Sequence, residues 1–331
     1  MHLPYPARKD SNAARYKPAR PPSSSAGYIP PILRRIRLRG GLIIAVVTFA
    51  CFYFFSSISR GSTASKSTKR SGTQRPITTH APTGNPPAVL VTVMDSGLHS
   101  NSYLQTLKEN RLTYAKKHGY ETWFPDVFEY DLKGAPTSWS KVVAMRHALT
   151  KFPDATYFWF LDHDTVIVNM EPTVEDSLMD AKAIGDVMIK DHPVVPPDSI
   201  IKTFTHLKGG DVDLVLTQDK VGLCVGSFIV RNGEWAKFFL ETWFDPIYRS
   251  YNFQKAETHA LEHIVQWHPT ILSKLAIVPQ RYINSYNTDE SGEAYQVGDM
   301  VVRFPACPKV GYPACEAEAA KYEKHWRGTK S

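Results

Sequence analysis

Asp162 and Asp164 stand one residue apart at the end of residues 156–161 (TYFWFL), a run too apolar to have a wet face. Two carboxylates delivered by one buried strand can place hard oxygen ligands around a divalent ion, and such an ion can neutralise a diphosphate. The spacing alone says little, because Asp211 and Asp213 repeat it; a helix cap or solvated turn is the plain alternative. Its setting says more, since a second apolar run, 166–170, follows directly. Asp95 closes a comparable run, 88–94 (AVLVTVM). A second constellation is His259-Ala-Leu-Glu262-His263. On a helix its two imidazoles would lie one turn apart and could share a zinc, as in inverted metallopeptidases. A peptidase would also need a distant acidic ligand, and Ala260, Leu261, Ile264 and Val265 read instead as one buried helix face.

The elements that must hold these groups alternate between helix and strand. Residues 101–118 predict a helix whose apolar face is Tyr103, Leu104, Leu107, Leu112 and Tyr114, stopped by Gly119. A strand follows at 120–124, a helix at 139–150, and then the TYFWFL strand. Further strands are expected at 186–190, 212–216 and 223–230, and helices at 233–244 and 257–273. This alternation argues an α/β fold with a mostly parallel sheet covered on both faces. Ligands in such folds gather at the carboxyl ends of the strands, where Asp95 and Asp162 fall.

The formal charge of +7 is unevenly spread. Residues 1–80 hold 14 Lys/Arg against the single acid Asp10, so the remainder is net acidic. A nucleic-acid-binding domain, which would need a basic patch on folded structure, thereby loses its main support. Residues 40–59 (GGLIIAVVTFACFYFFSSIS) carry no charge. As a helix at 1.5 Å per residue they reach about 30 Å, the thickness of a hydrocarbon core. Arg34, Arg35, Arg37 and Arg39 precede the run, and the positive-inside rule keeps that end cytosolic. The expected layout is a basic cytosolic tail (1–39), a transmembrane anchor (40–59), a disordered Ser/Thr/Gly/Pro-rich stem (60–87) and a lumenal catalytic domain (88–331). Golgi processing enzymes and many receptors share it. In an oxidising lumen Cys307 and Cys315, eight apart, are expected to form a local disulfide, with free thiols the alternative. Cys224, in an apolar stretch, reads as a buried thiol.

Residues 139–170 (WSKVVAMRHALTKFPDATYFWFLDHDTVIVNM) resemble the core of glycosyltransferase family 34, which includes fungal Golgi mannosyl- and galactosyltransferases and plant xyloglucan xylosyltransferases. Similar segments follow in the family's order at 195–246, 260–269 (ALEHIVQWHP), 278–286 (VPQRYINSY) and 298–307 (GDMVVRFPAC). Residues 195–204 (VPPDSIIKTF) and 260–269 look most like fungal α-1,6-mannosyltransferase subunits of the Golgi mannan polymerase. The resemblance implies a GT-A (Rossmann-like) fold, a Golgi type II membrane enzyme, Mn²⁺, and transfer with retention of configuration. The donor would be GDP-mannose, the acceptor mannan or an N-glycan, and the setting a hetero-oligomeric mannosyltransferase complex. Asp162 and Asp164 match the family's metal pair, and Lys141 a lysine near the donor. Gly222, Gly226 and Ser227 match a segment lining the donor sugar; Asp95 joins them at the donor-binding strand ends. Glu257 matches an acidic position facing the reacting sugar, where a carboxylate can act as nucleophile or stabilise positive charge. The family pattern His-Phe-x-Gly-Cys reads here Arg303-Phe304-Pro305-Ala306-Cys307. A guanidinium offers no lone pair to a metal, so Arg303 is expected to grip the donor's diphosphate instead. That substitution also supports a second reading, a glycosyltransferase-fold subunit of weak or no activity that scaffolds a complex.

Overall fold

The computed structural model describes residues 80–195, 199–251, 253–289, 292–307 and 314–328. The expected tail and anchor, and most of the expected stem, lie outside the described residues. No helix among the described residues is long and apolar enough to cross a membrane. The last part of the expected stem runs along the body: Gly84 N donates to Asp154 O at 2.8 Å, and His80 Nε2 meets Asp154 Oδ1 at 3.0 Å.

The strands are β1 (Ala88–Val91), β2 (Glu121–Trp123), β3 (Tyr157–Leu161), β4 (Thr165–Ile167), β5 (Leu214–Gln218), β6 (Leu223–Arg231), β7 (Leu275–Val278), β8 (Ser285–Tyr286) and β9 (Val301–Arg303). Six of them form a sheet of order β2-β1-β3-β6-β5-β7, and the other three a small sheet of order β4-β9-β8. The large sheet is mixed rather than mostly parallel: β3–β6 and β5–β6 are antiparallel, the other pairs parallel. The cause is local. Asp219 Oδ1 accepts from Val221 N at 2.7 Å and Gly222 N at 2.9 Å, closing a tight turn that sends β6 straight back along β5.

Both faces of the large sheet are covered, as the continuous apolar runs require. On one face lie α2 (Ser140–Lys151), α4 (Glu234–Trp243) and α5 (Ala256–Trp267), burying Val142, Met145, Phe239 and Ile264 against Phe158 and Phe228. On the other, α1 (Asn101–His118) and α3 (Ala181–Val187) pack Tyr114 and Ile184 against Trp159 and Ile229. The strand expected at 186–190 is in part α3, because Asp180 Oδ1 caps it by accepting from Lys182 N and Ala183 N at 2.9 and 2.8 Å. The helix expected to run to 273 stops at Trp267, where Pro269 removes a backbone donor.

Within α1, Leu112 is 48% exposed, and the buried face carries Asn110 and Arg111. At 100° per residue, position 111 falls on the stripe of Tyr103, Leu107 and Tyr114, and position 112 falls opposite it. Beyond β9, a disulfide joins Cys307 to Cys315 at the start of α6 (Cys315–Ala320), with a Cα–Cα distance of 4.9 Å.

Candidate active site

Asp162, His163 and Asp164 are the three residues between β3 of the large sheet and β4 of the small one. Their backbone is held from several directions. Asp162 N donates to Gly226 O at 2.7 Å, and Phe304 N to Asp164 O at 2.8 Å. From α1, Arg111 Nη2 donates to Asp162 O at 3.0 Å and Thr165 O at 2.6 Å. Asn110 pairs with both backbone groups of Ile167, at 2.8 and 3.1 Å. Burial pulls the Arg111 guanidinium down to about 10, still cationic at neutral pH. These two positioning residues were missed in the sequence; the helical stripe that contains them was the signal.

The carboxylate of Asp162 belongs to an ionic chain. Lys141 Nζ, in the first turn of α2, lies 3.0 Å from Asp162 Oδ2 and 3.0 Å from Glu257 Oε1. Burial opposes the charge on Lys141, but Asp162 and Glu257 outweigh it and hold the ammonium above the usual lysine range. Burial likewise opposes ionisation of Asp162, and Lys141, His163 and Arg303 together keep it well below the usual carboxylate range. Glu257 is buried, and its Oε2 has no hydrogen-bond partner among the described residues. It follows Ala256, whose φ of 42° lies in the left-handed region, a conformation that costs a residue with a Cβ roughly 1–2 kcal/mol. Trp243 Nε1 holds this turn by donating to Glu257 O at 2.8 Å.

Asp164 has a different cation. The antiparallel register sets Arg303 opposite Thr165, beside Asp164. Arg303 Nε lies 3.0 and 2.9 Å from the two Asp164 oxygens, and Thr165 Oγ1 donates to Oδ1 at 3.1 Å. Burial works against the Arg303 charge, and Asp164 more than offsets it, keeping the guanidinium firmly protonated. Gly226 makes the space: a Cβ there would come within 2.3 Å of Arg303 Cζ.

Two hollows meet at Lys141. One, of about 110 Å³, is lined by Asp95, Leu98, Lys141, Asp162 and His163. The other, of about 330 Å³, is lined by Lys141, Gly222, Cys224, Glu257, Tyr286 and Arg303. Asp95 Oδ1 accepts from Gly97 N and Leu98 N at 3.1 and 3.0 Å, fixing the loop after β1. His99 Nε2 lies 2.9 Å from His163 Nδ1. Gly222 lets Glu262 approach, since a Cβ would fall 1.9 Å from Glu262 Oε1. Ser227 lies apart from both hollows, fully buried, its hydroxyl accepting from Trp159 Nε1 at 3.0 Å. The structure therefore gathers Asp95, Lys141, Asp162, Asp164, Glu257 and Arg303, with Gly222 and Gly226 as clearances and Ser227 in the sheet.

The His-x-x-Glu-His run does not assemble a zinc site. Glu262 accepts from Leu223 N at 3.1 Å and lies 3.7 Å from His259, while the His263 ring rests against Tyr248 and Trp267. Nor do the residues at the aspartate pair fit a manganese ion held by three side chains. All four oxygens of Asp162 and Asp164 already accept from the protein, through Lys141 Nζ, His163 N, Arg303 Nε and Thr165 Oγ1. Among the described residues no group of three His, Cys, Asp or Glu is placed to share an ion.

Residues 84–313 match the model of the galactosyl transferase GMA12/MNN10 family. An alpha-1,2-galactosyltransferase of Schizosaccharomyces pombe is 30% identical over 220 residues, 64% of this chain and 58% of that one. An uncharacterized alpha-1,2-galactosyltransferase of the same organism is 29% identical over 230 residues, covering 68% and 61%. A probable alpha-1,6-mannosyltransferase of Saccharomyces cerevisiae is 29% identical over 255 residues, covering 70% and 60%. The chain thus spans about three fifths of the length of these curated relatives. A solved glycosyltransferase involved in glycosylation of the major capsid of PBCV-1 superposes with a TM-score of 0.47 at 13% identity, covering 73% of this chain and 99% of that one.

Proposed function

Because the chain belongs to the galactosyl transferase GMA12/MNN10 family, we propose that it transfers mannose from GDP-mannose to a mannan or N-glycan acceptor in α-1,6 linkage, with retention at the anomeric carbon. The observation that carries an active enzyme, rather than a scaffold, is the buried Glu257 Oε2 without a partner beside the larger hollow. An unsatisfied buried carboxylate oxygen costs about 1–3 kcal/mol or more, a cost that substrate binding explains and a purely structural role does not.

In this reading the nucleotide lies toward Asp95 and the sugar in the hollow lined by Glu257. Lys141 fixes Glu257 Oε1 and leaves Oε2 for the anomeric carbon. As the bond from that carbon to the diphosphate oxygen breaks, the diphosphate leaves with the electron pair, and the acceptor hydroxyl oxygen bonds to the carbon while its proton passes to the departing diphosphate. The Glu257 charge stabilises the cation-like sugar in between, at a site already polarised before the donor arrives. Residues 40–59 support a Golgi type II anchor with the body lumenal, and the likeness of residues 195–204 and 260–269 to subunits of the mannan polymerase supports membership of a hetero-oligomeric complex. Galactosyl transfer from UDP-galactose is the second reading, favoured by the two galactosyltransferase relatives at 29 and 30% identity.

Hydrolysis of a nucleotide-sugar panel by the full chain in detergent tests the proposal. GDP-mannose turnover that is lost in Glu257→Gln, with GDP affinity retained, is the expected result. Turnover of UDP-galactose alone would replace the sugar, and turnover of none would leave the scaffold reading.

A further inference from the structure

Arg303 spends only one of its nitrogens inside the protein. Nε is held by both oxygens of Asp164, while Nη1 and Nη2 donate to no described residue. The same side chain lines the larger hollow with Lys141 and Glu257. Four N–H donors on a permanently charged plane thus border a space whose protein walls give them no acceptor.

We propose that the Arg303 guanidinium is the built-in cation of the donor site and binds the donor's diphosphate in place of a divalent metal ion. The inference rests on the nucleotide-sugar reading above. Three features support it. A planar fork matches two phosphate oxygens at once, a geometry in which charge-assisted hydrogen bonds are strong. The fork is preorganised, because Asp164 holds Nε and the strand register fixes the backbone opposite Thr165. Room has been made for it, since any side chain at Gly226 would collide with the guanidinium. A divalent ion on Asp164 would have to displace the guanidinium from both carboxylate oxygens and then sit beside its charge. An arginine serving only to neutralise Asp164 would need neither the free nitrogens nor the opening.

The test is calorimetric titration of GDP and of UDP onto the full chain in detergent, once with EDTA and once with Mn²⁺. One nucleotide is expected to bind with the same affinity in both buffers, within about threefold. Arg303→Gln should weaken that binding on the order of 10- to 100-fold in both, the range for losing hydrogen bonds to a charged group. Arg303→His should lose affinity in EDTA and recover it with Mn²⁺, because imidazole supplies a neutral nitrogen ligand. Arg303→Lys keeps a cation beside Asp164 and loses the fork, so it should bind the nucleotide more weakly than wild type in both buffers, and an unchanged affinity there overturns the proposal even if the glutamine variant fails to fold. Binding by the wild type that requires Mn²⁺, or an unchanged affinity in a folded Arg303→Gln, overturns the proposal and leaves the donor site standing. Absence of nucleotide binding in either buffer overturns both.

Discussion

Asp162 and Asp164 are separated by a single residue and belong to two kinds of structure. Asp162 hangs from the large sheet, whose strands β1 and β3 are buried on both faces by a continuous apolar core. Asp164 opens the small sheet, whose strands are two or three residues long. The sheet core sets the strand that carries the first, and Gly226, Arg111 and Lys141 fix the residue at its end. The second rests on a smaller apolar cluster with Val166, Val302 and Phe304, and polar groups and a covalent link tie it further: Asn110 on Ile167, Arg111 on Thr165, Arg303 on Asp164, and the disulfide after β9. Polar residues on the large sheet are therefore free for chemistry. On the small sheet the same residues also build the fold.

The largest expected effect comes from removing the ammonium on the large-sheet side. Lys141→Met would leave two buried carboxylates, Asp162 and Glu257, facing each other without a cation. A loss of about 3–5 kcal/mol is expected, as for other broken buried ion pairs, with activity abolished. Urea unfolding measures it, and adding Glu257→Gln should recover part of the stability but none of the turnover. A single variant as stable as wild type would show that Asp162 is held by something other than charge.

Next is Arg111→Met, which removes the donor shared by Asp162 O, Thr165 O and Asn110 Oδ1. Roughly 3 kcal/mol should be lost by leaving these acceptors unpaired. Cys307→Ser follows. Opening a loop of this length costs about 2.5 kcal/mol in the chain-entropy account. Hydrogen exchange should then quicken across β9 and α6 and stay slow in β3 and β6. Equal quickening in β3 would erase the distinction between the two sheets.

The same distinction decides what could be read from sequence. Most strands of the large sheet announce themselves because burial on both faces demands apolar runs, as in AVLV and YFWFL, although the equally apolar β7 (LAIV) was not among the expected strands. The short strands of the small sheet have little period to detect, so β8 and β9 were not expected as strands and β4 was seen only as the apolar run 166–170. The reversal of β6 depends on the turn at Asp219, which the apolar pattern does not encode. Lys141, Glu257 and Arg303 were named through a family likeness. Their contacts were not legible, because Arg303 meets Asp164 across 139 positions through strand register alone. Arg111 was hidden by the habit of filling a helical stripe with apolar residues, although its angle on the helix pointed inward.

The smallest effect is gated by pH and sits where the sheets join. Burial, aided by the neighbouring His163, pushes His99 down to about 4, with Asp95, Asp162 and Asp164 opposing only in part. The folded-state value therefore lies below the ordinary 6.5 of an exposed histidine. Between these two values the unfolded chain binds a proton that the folded chain refuses, so stability is full above 6.5 and declines as pH falls toward 4. The geometry agrees: the His99 ring is half-buried with its Nε2 2.9 Å from His163 Nδ1, so an added charge would sit away from water beside a second imidazole. His99 is only half-buried, so solvent screening makes the effect modest. Melting temperature followed from neutral pH down to about 4 should fall more steeply for wild type than for His99→Phe, which has no proton to gain. Amides of β9 should exchange first as the pH drops, since His163 lies on the link to the small sheet. Parallel melting curves for the two proteins would show that the imidazole pair does not govern that link.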